Sequence, residues 1–152
     1  MRKNPIKKED ILKIYTDGAA RGNPGPGACA FIFVKGETII YRESKYLGTV
    51  TNNKAEYNAV IEALKRAVEH TRWNVRVYSD SALIINQING EWRITKDHLK
   101  VLYDKVMQHK GRFDKVEFFQ VGRTNRFIAE ADGLCNRCLD ENSPSVKKRQ
   151  SV

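Results

Sequence analysis

Residues 11–27 read ILKIYTDGAARGNPGPG, an apolar run that ends on a carboxylate and gives way to glycine and proline. The first seven residues alternate loosely in polarity, which predicts a strand over 11–17. The glycines and prolines of 18–27 predict a turn-rich connection. Beyond it, ACAFIFVK (28–35) and TIIYRESKYL (38–47) read as two more strands. The tight Gly36–Glu37 link joins them as an antiparallel hairpin.

From Asn53 the period changes. Tyr57, Val60, Ile61, Leu64, Ala67 and Val68 recur at three- and four-residue steps and predict a helix. NVRVYSD (74–80) reads as a fourth strand and SALIINQI (81–88) as a short helix stopped by Gly90. KDHLKVLYDKVMQHK (96–110) predicts another helix, KVEFFQV (115–121) a fifth strand, and 125–140 a last helix. The order βββαβααβα predicts an α/β fold, a mixed sheet with helices on its faces. The expected division is a basic N-terminal extension over 1–10, one domain over 11–141, and a disordered polar tail over 142–152.

With 152 residues the chain is long enough to bury a core without staples. No stretch approaches the roughly 18 apolar residues of a membrane span, and the N-terminus lacks an apolar signal core, so a cytoplasmic protein is expected. Three cysteines do not suggest a disulfide framework. Lys and Arg number 27 against 18 Asp and Glu, a formal net charge of +9. Such a balance favours phosphate-rich partners, although part of the excess sits at the two ends of the chain.

Against that background four carboxylates stand out: Asp17, Glu56 in TNNKAEYNAV, Asp80 in VYSDSALIINQ and Asp132 in IAEADGLCN. Three of them have local explanations. Asp17 suits an Asx-turn at the glycine-rich loop. Glu56 falls three residues after a candidate N-cap, Asn53, in a capping-box arrangement. Asp80 suits the N-cap of the helix that follows it. Asp132 has no such role: it falls on the edge of the inward stripe formed by Ile128, Ala131, Leu134, Cys135, Cys138 and Leu139. If the strands bearing Asp17 and Asp80 are parallel neighbours, the two carboxylates lie side by side. Repulsion then raises a pKa or recruits a cation. A divalent metal is the natural counter-charge.

TDGAARGNPGPG, then TNNKAEY, then YSDS, then EAD on the last helix is a series that resembles type 1 ribonuclease H, in order and over most of the chain. The resemblance implies a five-stranded mixed sheet in the order 3-2-1-4-5 flanked by helices. By position, Asp17, Glu56, Asp80 and Asp132 look like the family's metal-binding, catalytic carboxylates. The implied activity is hydrolysis of the RNA strand of an RNA–DNA hybrid with two Mg²⁺ ions, Mn²⁺ substituting, giving 5′-phosphate and 3′-hydroxyl ends. Gly18, Asn23, Asn52 and Asn53 are implied substrate contacts, and Arg123 a candidate phosphate contact. Double-stranded RNA is a further candidate partner, and a monomer is expected.

Two departures from the family pattern are visible. The loop before the last helix, VGRTNRF (121–127), lacks the histidine that many members carry; the three histidines are His70, His98 and His109. GEWRITKDH leaves little room for a basic protrusion, which leaves Trp92, Arg93 and Lys96 as candidates for hybrid grip, with Trp92 expected to pack at the helix joint. GNPGPG lacks the Lys-Ser/Thr ending of a P-loop and reads as a turn. Cys135 and Cys138 lack a second pair and read as core. Two other readings remain open at this point: a resolvase or exonuclease on the same fold, and a non-catalytic duplex-binding module.

Overall fold

A computed structural model describes residues 6–142. Its elements are β1 (Ile11–Ala20), β2 (Gly25–Lys35), β3 (Thr38–Val50), α1 (Asn52–Ala67), β4 (Asn74–Ser79), α2 (Ala82–Ile88), α3 (Asp97–Lys110), β5 (Lys115–Gln120) and α4 (Arg126–Asn142). They form one five-stranded sheet in the order β3-β2-β1-β4-β5, as the resemblance implies. β1, β2 and β3 pair antiparallel, whereas β4 runs parallel to both β1 and β5.

Both faces of the sheet are covered where the strands are most apolar. Ala28–Val34 of β2 are all fully buried, the pattern of a strand between two helical layers. On one face α1 packs on β1 and β2, and α3 packs on α1. There Leu12, Ile14, Phe31, Phe33, Tyr57, Val60 and Leu64 form the main core. On the other face α4 lies across β1, β2 and β3, burying Phe127, Ile128, Cys135, Cys138 and Leu139. The cysteines are core, as expected, with the Cys135 thiol 3.2 Å from the Ala28 carbonyl oxygen.

Within the N-terminal extension, Ile6 joins the main core. Asn74 Nδ2 donates to the Lys8 carbonyl at 2.9 Å, and the Lys7 N–H to the Asp10 carboxylate at 2.9 Å. Apart from Asn142, the expected tail over 142–152 lies outside the described residues.

The glycine-rich stretch is strand where a turn is expected. β1 runs to Ala20, and Gly18, Ala19 and Ala20 pair with Cys29, Ala28 and Gly27. Only residues 21–24 make the turn, with Gly22 at φ +99°. Small side chains there serve close packing.

One buried polar contact ties the two helices that flank the site. The Tyr57 hydroxyl donates to Gln87 Oε1 at 2.7 Å, and both residues are buried. Tyr57→Phe leaves that acceptor unsatisfied in a dry interior, at a cost of about 1–3 kcal/mol. A urea midpoint lowered with unchanged m-value is the expected result; an unchanged midpoint would show that water reaches Gln87.

Candidate active site

The ladder between β1 and β4 ends at Tyr15–Tyr78, while β1 stays paired with β2 as far as Ala20–Gly27. The sheet therefore forks after Tyr15, and a cleft of about 460 Å³ opens there. Asp17, Glu56, Asp80 and Asp132 all line it, together with Gly18, Asn52, Asn53 and Arg123. Asn23 lies outside the lining but supports it from the turn.

Asp17, Glu56 and Asp80 are each freed from the local role their sequence positions suggest. Asp17 sits inside β1, and its Oδ2 is buried with no hydrogen-bond partner, so it is no Asx-turn. The N-cap of α1 is Thr51, whose hydroxyl accepts the Lys54 N–H at 3.2 Å. Asn53 does not cap the helix, and Glu56 lies in its second turn. The Glu56 Oε1 instead receives the Gly18 N–H at 2.7 Å, locking helix to strand. The N-cap of α2 is Ser81, accepting the Ile84 N–H at 3.3 Å, which leaves the Asp80 carboxylate to the cleft.

Oxygens of Asp17, Glu56 and Asp80 lie within 4.8 Å of one another. Asp132 is outside that triad. It is exposed at the rim rather than leaning into the core, because α4 packs on β1–β3 and its next face borders the fork. Its charge still bears on Asp17. Burial first, then Asp132 and Asp80, push the Asp17 carboxyl up to about 8. Burial, followed by Asp17 and Asp80, raises Glu56 well above the usual carboxylate range, with the Gly18 N–H opposing in part.

Three clustered carboxylates, one with an orphaned buried oxygen, form an unfinished site. Isolated buried charge is costly, and the donor set is hard oxygen throughout. A hard divalent cation fits it. Among the described residues the cation paired with this cluster is weakly placed: Arg123 Nε is 3.7 Å from Asp80 Oδ2 on a side chain that is 92% exposed. Such a pair contributes little to stability and leaves the guanidinium free to swing.

The asparagines act as braces. The Asn52 Oδ1 accepts the Ala20 N–H at 2.8 Å, and the Asn52 N–H donates to Asn23 Oδ1 at 3.0 Å. They hold the turn against the start of α1. A residue that sequence reasoning passed over is Asn136, whose Nδ2 donates to Asp132 Oδ2 at 3.3 Å; the signal was its position four residues on along the same helix face. Ser81, also unremarked, lines the cleft while capping α2.

No histidine lines the cleft. His70 lies edge-on to Phe33, and His98 and His109 are on α3. Trp92 is 48% exposed rather than packed, and Arg93 and Lys96 are exposed beside it. The ring stands on the short connection between α2 and α3 with about half of its surface in solvent.

Residues 15–138 match the family model described as Reverse transcriptase-like. Ribonuclease HI of Halobacterium salinarum is 34% identical over 128 residues, covering 84% of this chain and 63% of that protein. Its crystal structure superposes with a TM-score of 0.81, covering 86% of this chain and 98% of that one. A bifunctional protein of Mycobacterium tuberculosis is 33% identical over 135 residues, 88% of this chain but 36% of that protein. The chain thus spans under two thirds of the length of these curated relatives. LC11-RNase H1, solved in complex with an RNA/DNA hybrid, is 32% identical with a TM-score of 0.80, covering 86% of this chain and 97% of that one. Fold, motif order and matched span agree: the chain belongs to the type 1 ribonuclease H family.

Proposed function

We propose that the protein is a metal-dependent endoribonuclease that hydrolyses the RNA strand of RNA–DNA hybrids, leaving 5′-phosphate and 3′-hydroxyl ends. One observation carries this reading: three carboxylates from β1, α1 and the end of β4 converge within 4.8 Å in a chain of net charge +9. A module that only gripped phosphate would gain nothing from that negative cluster. The relatives named ribonuclease H, and the relative solved with a hybrid, support the substrate.

Asp17, Glu56, Asp80 and Asp132 would hold two Mg²⁺ ions, with Mn²⁺ as substitute. Bound there, the metal supplies Lewis-acid stabilisation of the phosphodiester and a water nucleophile at neutral pH. The chain's part is placement. The Gly18 N–H orients Glu56, Asn136 steadies Asp132, and the fork fixes Asp17 opposite Asp80. Gly18, Asn23, Asn52 and Asn53 would meet the minor groove, where the 2′-hydroxyl distinguishes RNA from DNA. Arg123, exposed beside Asp80, would meet a phosphate. A monomer working in the cytoplasm completes the reading.

The test uses labelled RNA–DNA, RNA–RNA and DNA–DNA duplexes with Mg²⁺ or Mn²⁺, and with EDTA. Internal cuts confined to the RNA of the hybrid, abolished by EDTA, are the expected result; cleavage of double-stranded RNA would widen the substrate class. Binding of hybrid without cleavage under either metal would sink the proposal. Metal alone is also expected to raise the melting temperature, since it binds the folded cluster and not the unfolded chain.

A further inference from the structure

Just below the carboxylates lies a row of rings that the proposed chemistry does not use. Alternate strand residues share a face, so Tyr15 lies on the face of Asp17, two residues and about 7 Å down the strand. Tyr78 likewise precedes Asp80 by two residues. Across the parallel ladder Tyr15 pairs with Tyr78, and Tyr78 with Phe119. Their ring centroids are 4.7 and 5.6 Å apart, with interplanar angles of 13° and 27°. These spacings are close to the separation of the strands themselves. The rings therefore stand on the sheet as a stack of plates running from β1 to the edge strand β5.

The two ends of the stack differ. At β1, Phe127 of α4 closes it, 4.9 Å from Tyr15. At β5 the stack is open, and Phe119 is 39% exposed while its neighbour Phe118 is buried in the main core. One pleat further down are Lys13, Arg76 and Glu117 in register, with Lys115 alongside on β5. Glu117 faces both Arg76 at 3.6 Å and Lys115 at 3.9 Å. Lys13 makes no ion pair among the described residues. Arg76 and Lys115 thus share one carboxylate beside the open end of the aromatic stack, with Lys13 next to Arg76 in the ladder.

We infer that this row is a stacking platform for an unpaired nucleic-acid strand continuing from the cleft. Its bases extend the stack at Phe119, and its phosphates take the surplus charge of Lys13, Arg76 and Lys115. The inference rests on reading the cleft as a site for nucleic acid. Aromatic stacking accepts any base, and the basic row supplies the sequence-independent attraction that such binding needs. The path is short: β5 leads from Phe119 directly into the loop that carries Arg123 to Asp80. A protein partner fits the surface less well, since Phe119 is the one exposed ring of this stack and forms no broad apolar patch.

The experiment measures binding to the Asp17→Asn protein by fluorescence anisotropy at fixed salt. The probes are a blunt RNA–DNA hybrid, the same hybrid with a single-stranded RNA overhang, and one with a DNA overhang. An overhang is expected to tighten binding roughly tenfold, and the arm that gains identifies the strand. Adding Phe119→Ala should cancel the gain and leave blunt-hybrid affinity unchanged, while Phe119→Trp should keep it. Equal affinity for blunt and overhung duplexes, or a gain that survives Phe119→Ala, overturns the platform. In the Asp17-intact protein, Phe119→Ala should cleave the blunt hybrid at the normal rate. Failure of the unmodified protein to cleave any hybrid would overturn the proposed function instead.

Discussion

Asp17→Asn is expected to lower hybrid cleavage by roughly three orders of magnitude, the scale reached by single preorganised groups in active sites. In the absence of metal the same substitution is expected to raise the melting temperature at pH 8. Both effects have one cause. The Asp17 carboxyl is pushed up to about 8 by burial and by the charges of Asp132 and Asp80, whereas an unfolded aspartate titrates near roughly 3.9. Between those pH values the folded protein holds a proton that the unfolded chain has released. Stability is therefore complete below the lower value and is lost as pH rises toward the higher one.

The full shift corresponds to about 5–6 kcal/mol. Glu56 shares the strain, so a gain of roughly 5–10 °C on removing the charge is the reasonable scale for a chain of this size. Asparagine keeps the shape and removes the charge. Melting curves in EDTA across pH 4–8 check the sign: the variant's advantage should grow with pH and vanish near pH 4. Parallel pH profiles would mean that Asp17 ionises freely in the folded state. Metal should then reverse the order, stabilising the parent protein and leaving the variant nearly unmoved.

That opposition between stability and chemistry explains what could be read from the sequence. Apolar periods and the order of elements gave the sheet, because strands such as CAFIFV and the stripe from Tyr57 to Leu64 bury their side chains whatever surrounds them. The four carboxylates were legible as a set through their spacing and the family resemblance. Their local settings were not. Thr51, Asn52 and Asn53 are all competent N-caps, and the choice falls to Thr51 while Asn52 is engaged by Ala20 and Asn23 from a distant strand and turn. No neighbouring residue encodes that. In YSDS either Asp80 or Ser81 could cap α2; Ser81 does so, and Asp80 is left to the cleft.

Asp132 shows the limit of a helical wheel. The wheel places it beside the apolar stripe, but whether that edge meets core or open cleft depends on where β4 leaves β1. The same holds for KVEFFQV, where two adjacent phenylalanines hide the alternation. Only the pairing with β4 shows that Phe118 points into the core and Phe119 out of it.

Gly18→Ala should be among the most destabilising single substitutions in the chain, by about 4 kcal/mol or more. A Cβ at Gly18 would overlap the carbonyl group of Ala55 and lie 2.5 Å from the Glu56 nitrogen. All of these are backbone atoms, so no side chain can turn aside. α1 cannot retreat alone, because Tyr57, Val60 and Leu64 behind it are fully buried in the main core. Separating β1 from α1 also stretches the Gly18–Glu56 and Ala20–Asn52 hydrogen bonds. Stability and activity should therefore fall together, seen as a lowered urea midpoint and a weakened Mn²⁺-induced rise in melting temperature. Glu56→Gln separates the two roles: it keeps strand and helix in contact and removes one buried charge, so activity should drop while metal-free stability rises. If Gly18→Ala instead melts within a degree or two of the parent, β1 and α1 are not in backbone contact. The fork that sets Asp17, Glu56 and Asp80 around one point would then need another explanation.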